Sequence, residues 1–170
     1  MLALLIVAPA HAQKFAEADK SPMDIAMLRS QDKTPEARII YSRPAMNGRE
    51  IFGKLIPFDE VWRAGANEST EVTLYNDMMI GDKKVNAGTY TMYTIPGQQE
   101  WTVILNKDVN TWGAYGYKQE RDVVRIKAPV RKADAPIEMF SIVFEPNDSG
   151  ADLLMGWEQS YIKVPFKTVM

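Results

Sequence analysis

Short apolar runs, separated by turn-forming residues, recur along most of the chain. Apolar and polar positions alternate most clearly late in the sequence, where Phe140, Ile142 and Phe144 would share one face of a strand. Gly, Pro, Asn and Asp separate the runs at spacings of about ten residues. This pattern is typical of many short strands joined by tight turns.

The apolar runs predict about nine strands, preceded by one edge strand near Met23–Arg29. The nine are 37–43, 71–75, 78–80, 89–95, 101–105, 123–128, 137–144, 151–157 and 161–166. No run has the periodicity of an amphipathic helix. We therefore predict an all-β fold, a two-sheet antiparallel sandwich of jelly-roll-like form.

The segment between Pro44 and Thr70 interrupts this pattern, with neither helical nor strand periodicity. Loops of this length are uncommon in compact domains, and ordered ones usually serve a function. The segment contains enough large apolar side chains to pack against a core, namely Ile51, Phe52, Leu55, Ile56, Phe58, Val61 and Trp62. We therefore predict one long ordered loop rather than a disordered one.

Residues 1–12 are apolar, too few to span a bilayer, and end in Ala10-His11-Ala12, the small-residue pattern of a signal-peptide cleavage site. We predict a signal peptide over 1–12, a flexible leader over 13–20 and a single β-sandwich domain over 21–170. A buried N-terminal strand is the alternative for residues 1–12. The signal peptide predicts a periplasmic or secreted protein, and no later segment approaches the length of a membrane span.

Charge and composition exclude several classes of function. The formal net charge is −2 and like charges form no blocks, so we expect neither nucleic acid nor an anionic membrane as partner. There is no cysteine, and the single histidine, His11, lies in the predicted signal peptide. Thiol and histidine catalysis and the usual zinc sites are therefore excluded from the mature chain, and we expect no metal or cofactor.

A first group of candidate binding residues surrounds the long loop. Its members are Tyr41, Arg43, Arg49, Trp62, Arg63, Asn67 and Glu68. Arginine forks bind carboxylates, phosphates or sugar hydroxyls, and an aromatic ring offers a stacking surface. In the alternative interpretation, the arginines pair with Glu50, Glu60, Glu68 and nearby carbonyls and only hold the loop in place.

A second group, Trp112-Gly113-Ala114-Tyr115-Gly116-Tyr117, follows the strand predicted at 101–105, and Trp112 and Tyr115 are its candidate binding residues. Aromatic side chains separated by glycines on the loop of a β-sandwich suit stacking against a carbohydrate or a small aromatic ligand. The alternative is a turn whose rings cover the end of the core.

If the protein is an enzyme, its proton transfers must use Asp, Glu, Lys or Tyr side chains, because cysteine and histidine are absent from the predicted mature chain. A glycosidase-like pair of carboxylates would use Glu68 with Asp59, Glu60 or Glu71. Each of these acids is equally compatible with a solvated or ion-paired role.

Several motifs carry a resemblance to a known family. They are Tyr41-Ser-Arg-Pro44, Gly48-Arg-x-Ile-Phe-Gly-x-Leu55, Val61-Trp-Arg-x-Gly-Ala-Asn-Glu68, Ala87-Gly-Thr-Tyr90, Ile95-Pro-Gly97, Trp101-Thr-Val-Ile104 and Trp112-Gly-x-Tyr115. With them the chain resembles, from about Ser21 to Phe166, a bacterial secreted family catalogued as domain of unknown function 2911. The resemblance implies an exported, compact β domain and brings no activity, cofactor or catalytic residue with it.

Three functional hypotheses follow. The first is a binding module for a small polar or saccharide ligand, with the arginines, Asn67 and Glu68 as polar contacts and the rings as stacking surface. The second is a carboxylate-dependent hydrolase acting on envelope glycans through Glu68. The third is a structural or accessory envelope protein whose long loop docks on a protein partner.

Overall fold

The computed structural model describes residues 14–169, which form ten β-strands and no α-helix. The strands are β1 (Met23–Arg29), β2 (Pro35–Ser42), β3 (Thr70–Leu74), β4 (Met78–Ile80), β5 (Lys83–Val85), β6 (Gly88–Ile95), β7 (Glu100–Asn106), β8 (Asp122–Pro129), β9 (Arg131–Asn147) and β10 (Gly150–Thr168). A single turn of 3-10 helix, Gln119–Arg121, precedes β8. Accordingly, no helix among residues 14–169 has the length and apolarity needed to cross a membrane. The predicted signal peptide lies outside the described residues.

The strands form two antiparallel sheets with one hydrophobic core between them. The six-stranded sheet has the order β1-β2-β3-β6-β7-β8, and the four-stranded sheet has the order β5-β4-β10-β9. The prediction of an all-β, two-sheet antiparallel sandwich is confirmed.

Alternation along the strands builds the core. On β7, Trp101, Val103 and Leu105 are buried, and their partners across the sandwich include Phe140 and Trp157. An extended strand directs successive side chains to opposite faces, so each strand offers one apolar face to the other sheet. The core face predicted for β9 is confirmed.

Two strands differ from the sequence prediction for physical reasons. No strand is predicted at 83–85, but residues there form the short β5, which pairs with β4, with Val85 opposite Met78. Its Lys83 and Lys84 are exposed, so the strand has almost no apolar pattern. The strands predicted at 151–157 and 161–166 are one continuous β10, which a bulge at Glu158 interrupts without ending it.

Candidate functional site

The long segment 44–69, which joins β2 to β3, begins with a short pairing to β9. Ala45 forms an antiparallel bridge with Met139, and the amide of Met46 donates to the carbonyl of Glu138 at 2.8 Å. These bonds satisfy backbone groups that a free loop would leave to water. The edge of the four-stranded sheet therefore fixes the direction in which the segment leaves β2.

The middle of the segment is tethered by Glu158 of β10. The Glu158 carboxylate accepts hydrogen bonds from the amides of Ile51 and Phe52, at 3.2 and 3.5 Å. Ile51 is fully buried, and the Phe52 ring lies 4.7 Å from the ring of Trp101. The segment is thus ordered by burial and by hydrogen bonds, as the sequence predicts.

The segment rejoins the six-stranded sheet at Trp62. Trp62 exchanges two backbone hydrogen bonds with Thr94 of β6, at 2.7 and 2.8 Å. Its indole Nε1 donates to the carbonyl of Gly65 at 3.1 Å, and its ring stacks on Trp157 at a centroid distance of 5.9 Å. Because side chains alternate along extended backbone, the next residue, Arg63, is directed away from this buried ring.

A strained turn follows Arg63. Ala64 and Asn67 have φ angles of +53° and +59°, a left-handed conformation that costs a non-glycine residue about 1–2 kcal/mol. Thr70 holds the turn, since its hydroxyl donates to the carbonyl of Ala64 at 2.6 Å and its amide to the carbonyl of Arg63 at 3.2 Å. Such strain persists only where the surrounding structure enforces it, and it is concentrated at functional sites.

The loop 107–118, between β7 and the 3-10 turn, meets this strained turn. The amide of Gly113 donates to the carbonyl of Asn67 at 3.1 Å, and Glu68 forms an isolated antiparallel bridge with Trp112. The two groups of candidate residues, which are far apart in sequence, therefore adjoin in the fold.

The far end of the loop is fixed by Tyr117. Its hydroxyl donates to the Asp122 carboxylate at 2.7 Å and accepts from Arg125 at 2.8 Å, and its ring packs edge-on against Tyr93. Burial, reinforced by the hydrogen bond to Asp122, raises the pKa of Tyr117 to about 12. At the tip of the loop, Tyr115 remains 90% exposed.

A cleft of about 400 Å³ opens between the segment 44–69 and the tip of the loop 107–118. Its lining residues are Leu55, Ile56, Pro57, Glu60, Val61, Trp62, Arg63, Ala114 and Tyr115. Small-molecule sites typically measure about 300–1,000 Å³ and combine apolar walls with a few polar groups. The cleft has both properties.

Arg63 is the cationic group of the cleft. Its side chain is half-buried, and its Nε is buried without a hydrogen-bond partner. Among residues 14–169, ion pairs occupy Arg38, Arg43, Arg121 and Arg125, whereas Arg63 forms none. The buried Nε is closed to a ligand, but the terminal guanidinium nitrogens of Arg63 are not enclosed and have no partner among residues 14–169, so they can donate to a ligand.

A second hollow, of about 250 Å³, lies on the outer face of the six-stranded sheet, on the other side of the bridge between Glu68 and Trp112. Glu68 and Glu71 both line it, and Glu71 also lies 3.7 Å from the guanidinium of Arg38. Among residues 14–169, no three His, Cys, Asp or Glu side chains are placed to hold a metal ion.

The predicted site residue Tyr41 joins the two sheets. Its hydroxyl accepts a hydrogen bond from the amide of Ile142 at 3.0 Å and donates to the carbonyl of Ile142 at 3.1 Å. The side chain is buried, which raises the pKa of Tyr41. Tyr41 also lines the second hollow, but its hydroxyl is committed to β9 and is not a free group there.

Arg43 and Arg49 also use their donors within the protein. Arg43 bonds the Asp24 carboxylate at 2.9 Å, the Ser141 hydroxyl at 2.8 Å and the Phe140 carbonyl at 3.2 Å. Arg49 donates to two carbonyls of its own segment. For these two arginines the structure matches the alternative interpretation, a role in holding the backbone, although the acid involved is Asp24.

Of the predicted residues, the cleft brings together Trp62, Arg63 and Tyr115, while Asn67, Glu68 and Trp112 form its junction with the neighbouring loop. The sequence did not single out Leu55, Pro57 and Ala114 as binding residues, and it named Glu60 only as a possible acid partner of Glu68 or of the arginines. The feature that these residues share is membership of the aperiodic segment or of the loop 107–118.

The comparisons with known proteins give a family without a described activity. No curated protein and no solved structure is found to match the chain. The family described as "Protein of unknown function (DUF2911)" matches residues 21–166, which include every strand from β1 to β9, nearly all of β10, and the whole of the cleft. The chain therefore belongs to the family of proteins of unknown function DUF2911.

Proposed function

We propose that the protein is an exported binding module for a small polar or saccharide ligand, which it holds in the cleft at Arg63. The observation that carries this proposal is an unpaired, half-buried arginine beside an exposed tyrosine ring in a cleft of about 400 Å³. Because no described residue occupies the terminal guanidinium nitrogens of Arg63, they can donate to a ligand without breaking a bond within the protein.

The cleft supplies the two kinds of contact that such a ligand needs. Arg63 offers planar donors to hydroxyl or carboxylate oxygens, and the face of Tyr115 offers a surface for the C–H face of a sugar ring. Arg63 follows Trp62, whose ring and backbone are both fixed by the core, so the backbone that carries the guanidinium is held in place before a ligand arrives. Preorganisation of this kind lowers the entropic cost of binding.

The shape of the surface argues against the docking hypothesis. Docking of a protein partner would favour a flat apolar patch around Trp62 and Phe58. Trp62 is only 5% exposed, and the half-buried Phe58 ring lies against Gly53. The described surface beside them is the concave cleft, which suits a small ligand.

Hydrolysis is a second candidate, because Glu68 and Glu71 line one hollow beside the cleft. Two carboxylates facing a bound glycan could act as acid and base or nucleophile. Glu68→Gln separates the two functions, since it would lower turnover by at least about a hundredfold in an enzyme. A binding module with the same substitution would keep measurable affinity for its ligand.

A thermal-shift screen of the chain from Ser21 onward against sugars, oligosaccharides and small metabolites tests the proposed function. A ligand present at 100 times its Kd adds about 2.7 kcal/mol to the free energy of unfolding. We expect at least one compound to raise the Tm, and we expect Tyr115→Ala to abolish the shift while Tyr75→Ala, which removes a half-exposed ring far from the cleft, preserves it. An equal shift in both variants would place the ligand elsewhere.

A further inference from the structure

We infer that the ligand is a sugar acid, whose single carboxylate pairs with Arg63 and whose hydroxyls donate to Glu60. This inference rests on the proposed function and names the class of ligand that the cleft selects. It is argued from the two charged side chains of the lining and from the apolar surface between them.

The first step concerns the group of the ligand that would accept hydrogen bonds from the Arg63 guanidinium. Neutral hydroxyls can accept from a guanidinium, but a carboxylate accepts two parallel hydrogen bonds and neutralises the charge. The residues around Arg63 include Val61, Ala114 and Ile56, which reduce the local screening by water. An anionic partner is therefore favoured over a neutral one.

The second step concerns Glu60, the other charged residue of the lining. Arg63 supplies the single positive charge of the lining, which matches one carboxylate, whereas a dianion such as a phosphate monoester would leave a negative charge unmatched in a lining that also holds Glu60. A carboxylate group brings one negative charge to Arg63. A ligand that also carries hydroxyl donors can then use Glu60 as an acceptor.

The third step concerns the body of the ligand. Leu55 and Pro57 line the cleft on the same segment as Arg63, and Tyr115 extends from the neighbouring loop with its ring exposed. A sugar ring combines a C–H face, which packs on aromatic and apolar surface, with hydroxyls at its edge. The three requirements, a carboxylate, hydroxyl donors and a flat C–H face, are met together in a uronic acid.

The experiment compares acidic and neutral forms of the same sugars by isothermal titration calorimetry. The probes are the methyl glycosides of galacturonate, glucuronate and mannuronate, which each carry a single carboxylate, their methyl esters, and N-acetylleucine as a carboxylate without a sugar ring. We expect at least one acidic glycoside to bind at least about tenfold more tightly than its ester, and we expect N-acetylleucine not to bind. Equal affinity for acid and ester would overturn the inference and leave the proposed function intact.

Arg63→Gln should lower the affinity for the acidic sugar by about tenfold to a hundredfold and bring it close to that for the ester. Arg131→Gln is the matched control, because Arg131 is exposed, lies outside the cleft, and loses the same charge. A loss of affinity that is equal in both variants would overturn the pairing with Arg63.

Glu60→Gln provides a test that does not depend on a half-buried residue, because Glu60 is exposed. Removing its negative charge should raise the ratio of acid to ester affinity by about twofold to fivefold, as expected for charges separated by several ångströms of water-like medium. An unchanged ratio would show that no carboxylate lies near Glu60. If neither these probes nor any compound of the thermal-shift screen binds, the proposed function itself fails.

Discussion

The role of each arginine in this protein depends on the acceptors that surround it. Arg43 and Arg49 have the same chemistry as Arg63, but an aspartate, a serine and several carbonyls occupy their donors. Buried donors and acceptors are nearly always paired in folded proteins, so an unpaired one indicates either strain or a partner that binds later. The hydroxyls of Tyr41 and Tyr117 do have hydrogen-bond partners, and these bonds predict measurable effects on stability.

Tyr41→Phe should lower the free energy of unfolding by about 2–4 kcal/mol, because it leaves both the amide and the carbonyl of the buried Ile142 without their partner. Urea denaturation of the variant measures this loss. Tyr75→Phe is the control, since Tyr75 is exposed and its hydroxyl has no hydrogen bond to a described residue. Equal stability of the two variants would show that the hydroxyl of Tyr41 does not join the sheets.

Tyr117 should make stability depend on pH in the alkaline range. The pKa of Tyr117 is about 12 in the folded protein, against about 10 in an unfolded chain. The folded state holds this proton more tightly than the unfolded chain does. The contribution of the protonated Tyr117 hydroxyl to the free energy of unfolding is therefore complete below about pH 10 and is lost as the pH rises from about 10 to about 12.

Urea denaturation at pH 9 and at pH 11.5 tests this dependence. The unmodified protein should lose more stability than Tyr117→Phe between these pH values, by an amount on the order of 1 kcal/mol because the side chain is partly exposed. Other tyrosines titrate equally in both proteins and cancel in the comparison. Equal losses of stability in the two proteins would contradict the raised pKa of Tyr117.

At the level of elements, the site is formed where the segment 44–69 and the loop 107–118 contact each other. The turn at Asn67 accepts from Gly113, and Glu158 of the opposite sheet holds the middle of the long segment. Neither loop has a regular pattern of its own, so its conformation is set by contacts with residues distant in sequence. The geometry of the cleft therefore depends on a small number of backbone positions.

Gly113 is one of these positions. Its φ is +64°, and a Cβ added to it would lie 2.6 Å from the ring of Tyr115. Gly113→Ala should therefore lower the free energy of unfolding by about 1–2 kcal/mol and raise amide hydrogen exchange across residues 111–115. The displaced Tyr115 ring would also open the cleft.

Gly116→Ala is the matched control for this prediction, because no heavy atom lies within 4 Å of a Cβ at that position. We expect its stability and its hydrogen exchange to remain those of the unmodified protein. The same exchange in both alanine variants would mean that the junction between Asn67 and Gly113 does not hold the loop in place.

Across the whole molecule, the sequence predicts those features that depend on local pattern. The strands Met23–Arg29 and Met78–Ile80 have the predicted bounds because their apolar and turn residues are contiguous. The sequence could not show that the Arg43 side chain is bonded within the protein, since its acceptors lie on β1 and on β9, far apart along the chain. Hydrogen bonds between elements that are far apart in sequence produce no recognisable pattern in the local sequence.

The bulge at Glu158 illustrates the same limit. Its φ of +58° breaks the alternation along β10, so one strand reads as two in the sequence. The carboxylate then bonds the amides of Ile51 and Phe52, a contact that no spacing in the sequence indicates. The apolar content of the segment 44–69 was enough to predict that it is ordered. The hydrogen bonds that Glu158 accepts from it could not be predicted.

The extent of the folded unit is the last property that the architecture predicts. Residues 14–20 belong to no strand, and Phe15 is 87% exposed, so these residues bury almost no apolar surface. A chain that begins at Ser21 should therefore melt in one transition at the same Tm as a chain that begins at Lys14.

A chain that begins at Ser30 should be much less stable, because it lacks β1. That strand pairs with β2 along its whole length, buries Ala26 and Leu28, and supplies the Asp24 partner of Arg43. Loss of the buried side chains alone costs on the order of 3 kcal/mol, and Arg43 would be left half-buried without its acid. Calorimetry of the three chains tests both statements: a lowered Tm for the chain from Ser21 would extend the fold into the leader, whereas an unchanged Tm for the chain from Ser30 would remove β1 from it.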